Sequence, residues 1–191
     1  MNIQNTPSIL GVDIGRVIIR GDGSDSSFIG GAESDAMRAP AVEHAFESLR
    51  TLCERFERRI WLVSKCGPRI QARTRKWLDR HRFFSLTGVP YGNLRFCLER
   101  RDKAKICREL GIDMFVDDRA DVLLAMQGVV AHRFQIGVRV APAGIVPVPT
   151  WIAAEAAILG AMEEAQTSRN AGGTARVGEA RRRSAARPEL T

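Results

Sequence analysis

The sequence predicts an α/β protein, a three-layer α/β/α arrangement around a central parallel sheet. Two observations carry this. From Ser8 onward, short apolar runs alternate with stretches of helical periodicity, the pattern of strands joined by crossover helices. Three of those apolar runs also end on residues that carry chemistry: Asp13, Ser64 and the pair Asp117/Asp118. Ligands of open α/β sheets collect outside the carboxyl ends of the strands, so groups far apart in the chain are expected to converge there.

Each element follows from its residues. Ile9-Leu10-Gly11-Val12 reads as a buried strand that delivers Asp13. A polar, Gly-rich stretch from Gly21 to Ser34 precedes a helix opened by Pro40, with Val42, Phe46, Leu49, Cys53 and Phe56 along one face. Ile60 to Val63 is a second strand, ending at Ser64. Gly67-Pro68 opens the next helix, with Ile70, Thr74, Trp77 and Leu78 facing inward and Arg69, Arg73, Lys76 and Arg80 outward. Phe83 to Gly92 reads as a loop, and Asn93 to Cys97 as a third strand. Lys103 to Leu110 is a short helix closed by Gly111, after which Met114-Phe115-Val116 runs into Asp117. Ala120 to Met126 reads as helix, Val129 to Phe134 as a last strand, and Trp151 to Ala165 as a closing helix after the linker APAGIVPVPT. The two loop-like stretches are too short for a cap domain, so a minimal cap or none is expected.

Composition bounds the rest. A chain of 191 residues with 45% hydrophobic content supports one well-packed domain, assigned to residues 1–166. Of the formal charge of +7, residues 167–191 supply +4 through six Arg against two Glu, and the near absence of large apolar residues there predicts a disordered basic tail. No apolar run is long enough to cross a bilayer, and the start MNIQNTPS lacks the features of a signal peptide. A cytoplasmic protein with no membrane partner is expected. Cys53, Cys66, Cys97 and Cys107 form no CxxC pair, which points to reduced, packed thiols.

The polar strand ends suit phosphoryl chemistry. A carboxylate such as Asp13 can attack phosphorus, but its charge repels the phosphate unless cations neutralise the pair. Mg²⁺ prefers a few hard oxygens and bridges carboxylate to phosphate; Asp13 and Asp118 would hold it, with Asp117 orienting its neighbours or contacting Lys103. Ser64 can donate to a phosphate oxygen, and Lys103, at a helix start, adds positive charge. Lys105 competes for that role, and Lys103 is favoured because side chains of a first turn face the same anion as its amides. The basic row beginning at Arg69, together with Lys65, offers further contacts to a phosphorylated substrate. That row and the Arg-rich tail would suit a large or polyanionic partner, a nucleic-acid end included, although no interleaved aromatics support base stacking.

In order along the chain, DIGRV, VSK, a Lys opening the helix before ELGI, and FVDD followed by Asp121 resemble the four motifs of the haloacid dehalogenase superfamily, over Ile9 to Asp121. The resemblance implies the Rossmann-like fold of that superfamily and a Mg²⁺-dependent phosphomonoester phosphatase working through an aspartyl-phosphate. It implies Asp13 as nucleophile and metal ligand, Ser64 as phosphate contact, Lys103 as charge neutraliser, and Gly15, Asp117 and Asp118 as further metal contacts, Gly15 through its carbonyl. The chain departs from the pattern at Gly15, where phosphatases of the superfamily carry the acid that protonates the leaving group. Asp22 or Asp25 are the nearest substitutes in sequence; otherwise the substrate has a good leaving group, or the domain binds phosphate or nucleic acid with little turnover. The Tyr that dehalogenases of the superfamily carry at this position is absent, which argues against dehalogenation.

Overall fold

Residues 7–21 and 32–184 are described by the structure, a computed structural model, with side chains as far as residue 167. Six strands, β1 (Leu10–Val12), β2 (Ile60–Lys65), β3 (Leu94–Cys97), β4 (Met114–Asp117), β5 (His132–Ile136) and β6 (Val146–Val148), form one sheet in the order β3-β2-β1-β4-β5-β6. Every neighbouring pair is parallel. The helices are α1 (Glu33–Ala36), α2 (Ala45–Arg55), α3 (Pro68–Arg80), α4 (Phe83–Thr87), α5 (Asp102–Leu110), α6 (Ala120–Ala125) and α7 (Trp151–Ser184).

Side-chain alternation along the strands sorts the core into two faces. Leu10 and Val12 of β1, Ile60 and Leu62 of β2, and Met114 and Val116 of β4 pack with Leu49 and Leu52 of α2, Trp77 and Leu78 of α3, and Trp151 and Ile158 of α7. Val63 and Phe115 point the other way, against Cys107 of α5 and Val122 and Leu123 of α6. The layers are therefore α/β/α as expected. Gly11 exists for this packing: a Cβ there would lie 2.4 Å from the Phe115 ring.

The sheet grows outward from β1 in both directions, first to β2 and β3, then to β4, β5 and β6. The order reverses between β1 and β4, and a crevice at the strand ends opens at such a switch point. Register brings Val12 level with Val116, so Asp13 emerges beside Asp117, with its amide donating to the Val116 carbonyl at 2.9 Å.

Several expectations need correction. The helix opened by Pro40 begins only at Ala45, because the backbone before it is already paired: Arg20 N donates to Pro40 O and Val42 N to Ile18 O, at 2.9 and 2.8 Å. The stretch Phe83–Gly92 contains α4, whose Phe83 is fully buried and whose aromatic neighbours Phe46 and Phe84 stack edge-on against it. The last expected strand lies a few residues later, at His132–Ile136, and the Pro-rich link holds a sixth strand. Arg73, expected on the outer face of α3, is buried at 7% exposure. It follows Ile70 by three residues and so shares that residue's inward face. The closing helix does not stop at Ala165 but carries on to Ser184. Its Ala, Glu and Arg content favours helix. Of the two connections read as too short for a cap, α4 packs on α2 and α3, while most of the Gly-rich stretch after Gly21, with Asp22 and Asp25, lies outside the described residues. No described helix is long and apolar enough to cross a membrane.

Candidate active site

At the switch point Asp13, Asp117 and Asp118 each present a carboxylate oxygen within 4.8 Å of the others. Lys103, the second residue of α5, reaches in from the face that carries Phe115. Its Nζ lies 2.8 Å from Asp13 Oδ1 and 2.8 Å from Asp117 Oδ2. This ammonium is 3% exposed, and Asp117 is completely buried. Burial alone would favour the neutral amine, but the two carboxylates outweigh it and hold the Lys103 pKa above its ordinary range. For Asp117 burial dominates and raises the carboxyl, with Asp13 and Asp118 adding repulsion and Lys103 opposing. Asp118 is raised for the same first reason, burial, then by Asp13, against the pull of Arg16.

The two neighbouring aspartates differ in what they have left to offer. Asp117 Oδ2 accepts from Lys103, and its Oδ1 accepts from the Arg119 backbone N–H at 3.0 Å, so both oxygens are engaged within the protein. Asp118 Oδ2 pairs with Arg16 Nη2 at 2.7 Å, and its loop is fixed by Gln135 Nε2 donating to its carbonyl at 3.2 Å. Asp13 Oδ1 has the Lys103 charge beside it but no hydrogen-bond donor in line, although it is buried. Among the described residues Lys103 and Arg16 pair directly with these three carboxylates, while Arg119, whose charge also reaches Asp117 and Asp118, is paired with Asp121, in a site where unbalanced charge is costly. An under-satisfied buried oxygen, surplus negative charge and an all-oxygen donor set fit a small hard cation such as Mg²⁺.

The other residues singled out in the sequence spread along the same edge. Ser64 is buried at the end of β2, the strand beside β1, and is the next position after Val63, which is level with Asp13. Lys65 follows, half-buried, and Arg69 is exposed in the first turn of α3. Gly15 sits in a tight turn after β1 in which Ile18 N and Ile19 N both donate to Ile14 O, and it offers no side chain to the site. Lys105 is exposed and paired with Asp102 at 2.8 Å, so only one of the two competing lysines reaches the carboxylates. Asp121 pairs with Arg119 at 2.9 Å rather than serving the cluster. Of the basic row on α3, Lys76 is paired with Glu33 at 2.6 Å.

Sequence reasoning missed Arg16 and Gln135. Arg16 stands three residues beyond Asp13 with a left-handed backbone, φ 61°, which swings its side chain toward the end of β4. No spacing rule announces that reach. Gln135 sits in register with Asp117 on β5, a position knowable only once the strands are paired.

No family model and no curated protein matches the sequence. Among solved structures, D,D-heptose 1,7-bisphosphate phosphatase from Burkholderia thailandensis superposes with a TM-score of 0.50 at 13% identity, covering 80% of this chain and 98% of that one. A haloacid dehalogenase-like family hydrolase from Xanthomonas campestris gives 0.56 at 10% identity, over 83% of this chain and 97% of the other. Strand order, the motifs placed at the strand ends and these two likenesses agree: the chain has the Rossmann-like α/β fold of the haloacid dehalogenase superfamily.

Proposed function

We propose that this protein is a Mg²⁺-dependent phosphohydrolase that acts on phosphomonoesters through an aspartyl-phosphate on Asp13. The observation that supports it most is the shared ammonium: Lys103 ties Asp13 to Asp117 at 2.8 Å each, with Asp118 close by, at the sheet's switch point. Asp13 and Asp118 would hold the ion, with Asp117 and the Gly15 carbonyl beside it; when bound, it would neutralise phosphate charge and align the ester for attack.

In the first step a carboxylate oxygen of Asp13 forms a bond to phosphorus, the ester P–O bond breaks, and the departing oxygen leaves with its electron pair. Lys103 supplies fixed positive charge beside the attacking carboxylate, and Ser64 and Lys65 lie at the adjacent strand end as phosphate contacts. Asp117 positions Lys103 and the turn at Arg119 rather than reacting. In the second step water attacks the aspartyl-phosphate, releasing phosphate and restoring Asp13. Gly15 provides no acid for either step, a deficit worth about 10²- to 10⁴-fold in rate where nothing replaces it. Substrates with acyl or anomeric phosphates, whose leaving groups need little protonation, are the ones expected to react well.

The test is phosphate release from a broad phosphomonoester panel with Mg²⁺ or Co²⁺. Wild type should turn over at least one substrate class, and Asp13→Asn should lose on the order of a thousandfold or more. Equal silence of both proteins across the panel would overturn the reading. Gly15 itself favours one alternative, a phosphate-binding domain with weak turnover; it calls for saturable beryllofluoride binding without catalysis.

A further inference from the structure

Beside the carboxylates, between the turn after β1, the approach to α2 and the start of α7, lies a cavity of about 390 Å³. That is within the size range of small-molecule sites. Arg16 joins the two places: its guanidinium holds Asp118 at 2.7 Å, and it also lines the cavity. The opposite wall is closed by Ile136 at the end of β5, on the face that packs against α7. Around the remaining wall stand Arg20, His44, Thr150 and Ile152.

The chemistry of this wall is specific. Ile136, Val42 and Ile152 give it an apolar floor, with Ile152 60% exposed at its rim. Thr150 caps α7 by accepting from Ala153 N at 3.2 Å, so the cavity faces the first turn of a long helix, the end that attracts negative charge. Arg20 is exposed, and its backbone is tied to Pro40 O at 2.9 Å. One group opposes an anion here: Glu43, whose side chain is 80% exposed and lies 3.6 Å from His44. Solvent screens it, and Arg20 and the helix end, whose charge no carboxylate of the site uses, outweigh it.

We propose that this cavity is the leaving-group subsite and takes a compact, mainly apolar body ending in a second anionic group, carboxylate or phosphate. Arg20 and the first turn of α7 hold that group, and Arg16 stands between it and the reacting phosphate. The assignment rests on the phosphohydrolase reading for the word "leaving", but the cavity's preference for an anion does not need turnover. The subsite also gives a reason for tolerating Gly15, because binding energy from a remote part of the substrate can be used at the reacting centre.

Three esters with one body separate the possibilities: phenyl phosphate, 4-carboxyphenyl phosphate and 1,4-phenylene bisphosphate. In wild type, kcat/KM for at least one of the doubly anionic esters should exceed that for phenyl phosphate, and the larger of the two names the anion. Arg20→Ala should reduce this preference on the order of fivefold, the size expected for a largely exposed charge pair. Glu43→Gln should increase it, and Lys105→Ala, remote on α5, should leave it alone. Calorimetric titration with 4-hydroxybenzoate and with phenol gives a measure free of catalysis: the acid should bind more tightly, and Arg20→Ala should erase the difference. If binding shows the preference while no ester turns over, the subsite stands and the phosphohydrolase reading falls. Turnover of phenyl phosphate with no preference in either measurement, or a preference insensitive to Arg20, sinks the subsite and leaves the phosphohydrolase reading in place.

Discussion

Lys103 is a single charge serving two buried carboxylates, and its removal exposes how the site is balanced. Lys103→Met would leave Asp13 and Asp117 without a counter-charge in an environment that excludes water. Breaking such a buried group typically costs about 3 to 5 kcal/mol. Urea titration at pH 7 should show a loss of that order, and the loss should shrink toward pH 5, where Asp117, whose carboxyl burial raises, takes up a proton. An unchanged midpoint at pH 7 would mean that the charges are solvated and the site is open to water. Gly11 is the second residue-scale test. Gly11→Ala places a methyl 2.4 Å from Phe115, and overpacking of this kind costs about 1 to 3 kcal/mol. Adding Phe115→Leu should recover part of that loss, whereas simple additivity of the two changes would rule out the clash as cause. At this scale the sequence was a good guide to type and, for Asp117 with Lys103, to one of the partners. Asp13, Lys103 and Asp117/Asp118 were legible because each ends a strand or opens a helix. Arg16 was not, because its reach depends on a left-handed backbone that nothing in Gly15-Arg16-Val17 announces.

Among elements, α7 does the most to hold the first turn of the site in place. Trp151 is fully buried, and its Nε1 donates to the Val17 carbonyl at 2.7 Å, across 134 residues of sequence. Trp151→Phe would leave that buried carbonyl without its donor, a change worth about 1 to 3 kcal/mol in guanidinium denaturation. Hydrogen exchange at Ile18 and Ile19, whose amides close the same turn, should speed up; if it does not, α7 is not what braces the turn. The strands with strong apolar runs, β1, β2 and β4, were readable because burial on both faces demands such runs in a parallel sheet. By contrast α4 is five residues long, too short to show a helical period. β6 contains Pro147, which a central strand would not tolerate, and it is placed at the sheet's edge where a missing donor costs little.

For the molecule as a whole, the four cysteines report on packing. All are free and buried, and burial pushes the thiols of Cys66 and Cys107 up to about 12 and that of Cys97 to about 11, from an ordinary 9.0. A pKa higher in the folded than in the unfolded state means that the folded state holds its protons longer. The corresponding stability is therefore fully present below about pH 9 and is lost as pH rises through 9 toward 12. The urea midpoint should hold between pH 7 and 8.5 and fall steeply by pH 10.5, and native thiols should resist Ellman's reagent at pH 8 until denaturant is added. Prompt reaction of all four in the native state would contradict the burial.

Composition and periodicity were enough to determine the layers, the parallel sheet and the set of charged residues at its carboxyl edge, because burial on both faces dictates apolar runs and a charged side chain interrupts such a run. That Lys103 bridges Asp13 as well as Asp117, that Arg16 belongs with Asp118, that Asp117 also accepts from the Arg119 amide, and that a cavity opens between β5 and α7 were decided only by the tertiary structure. Such pairings depend on strand register and backbone handedness, and these are settled when distant segments pack together.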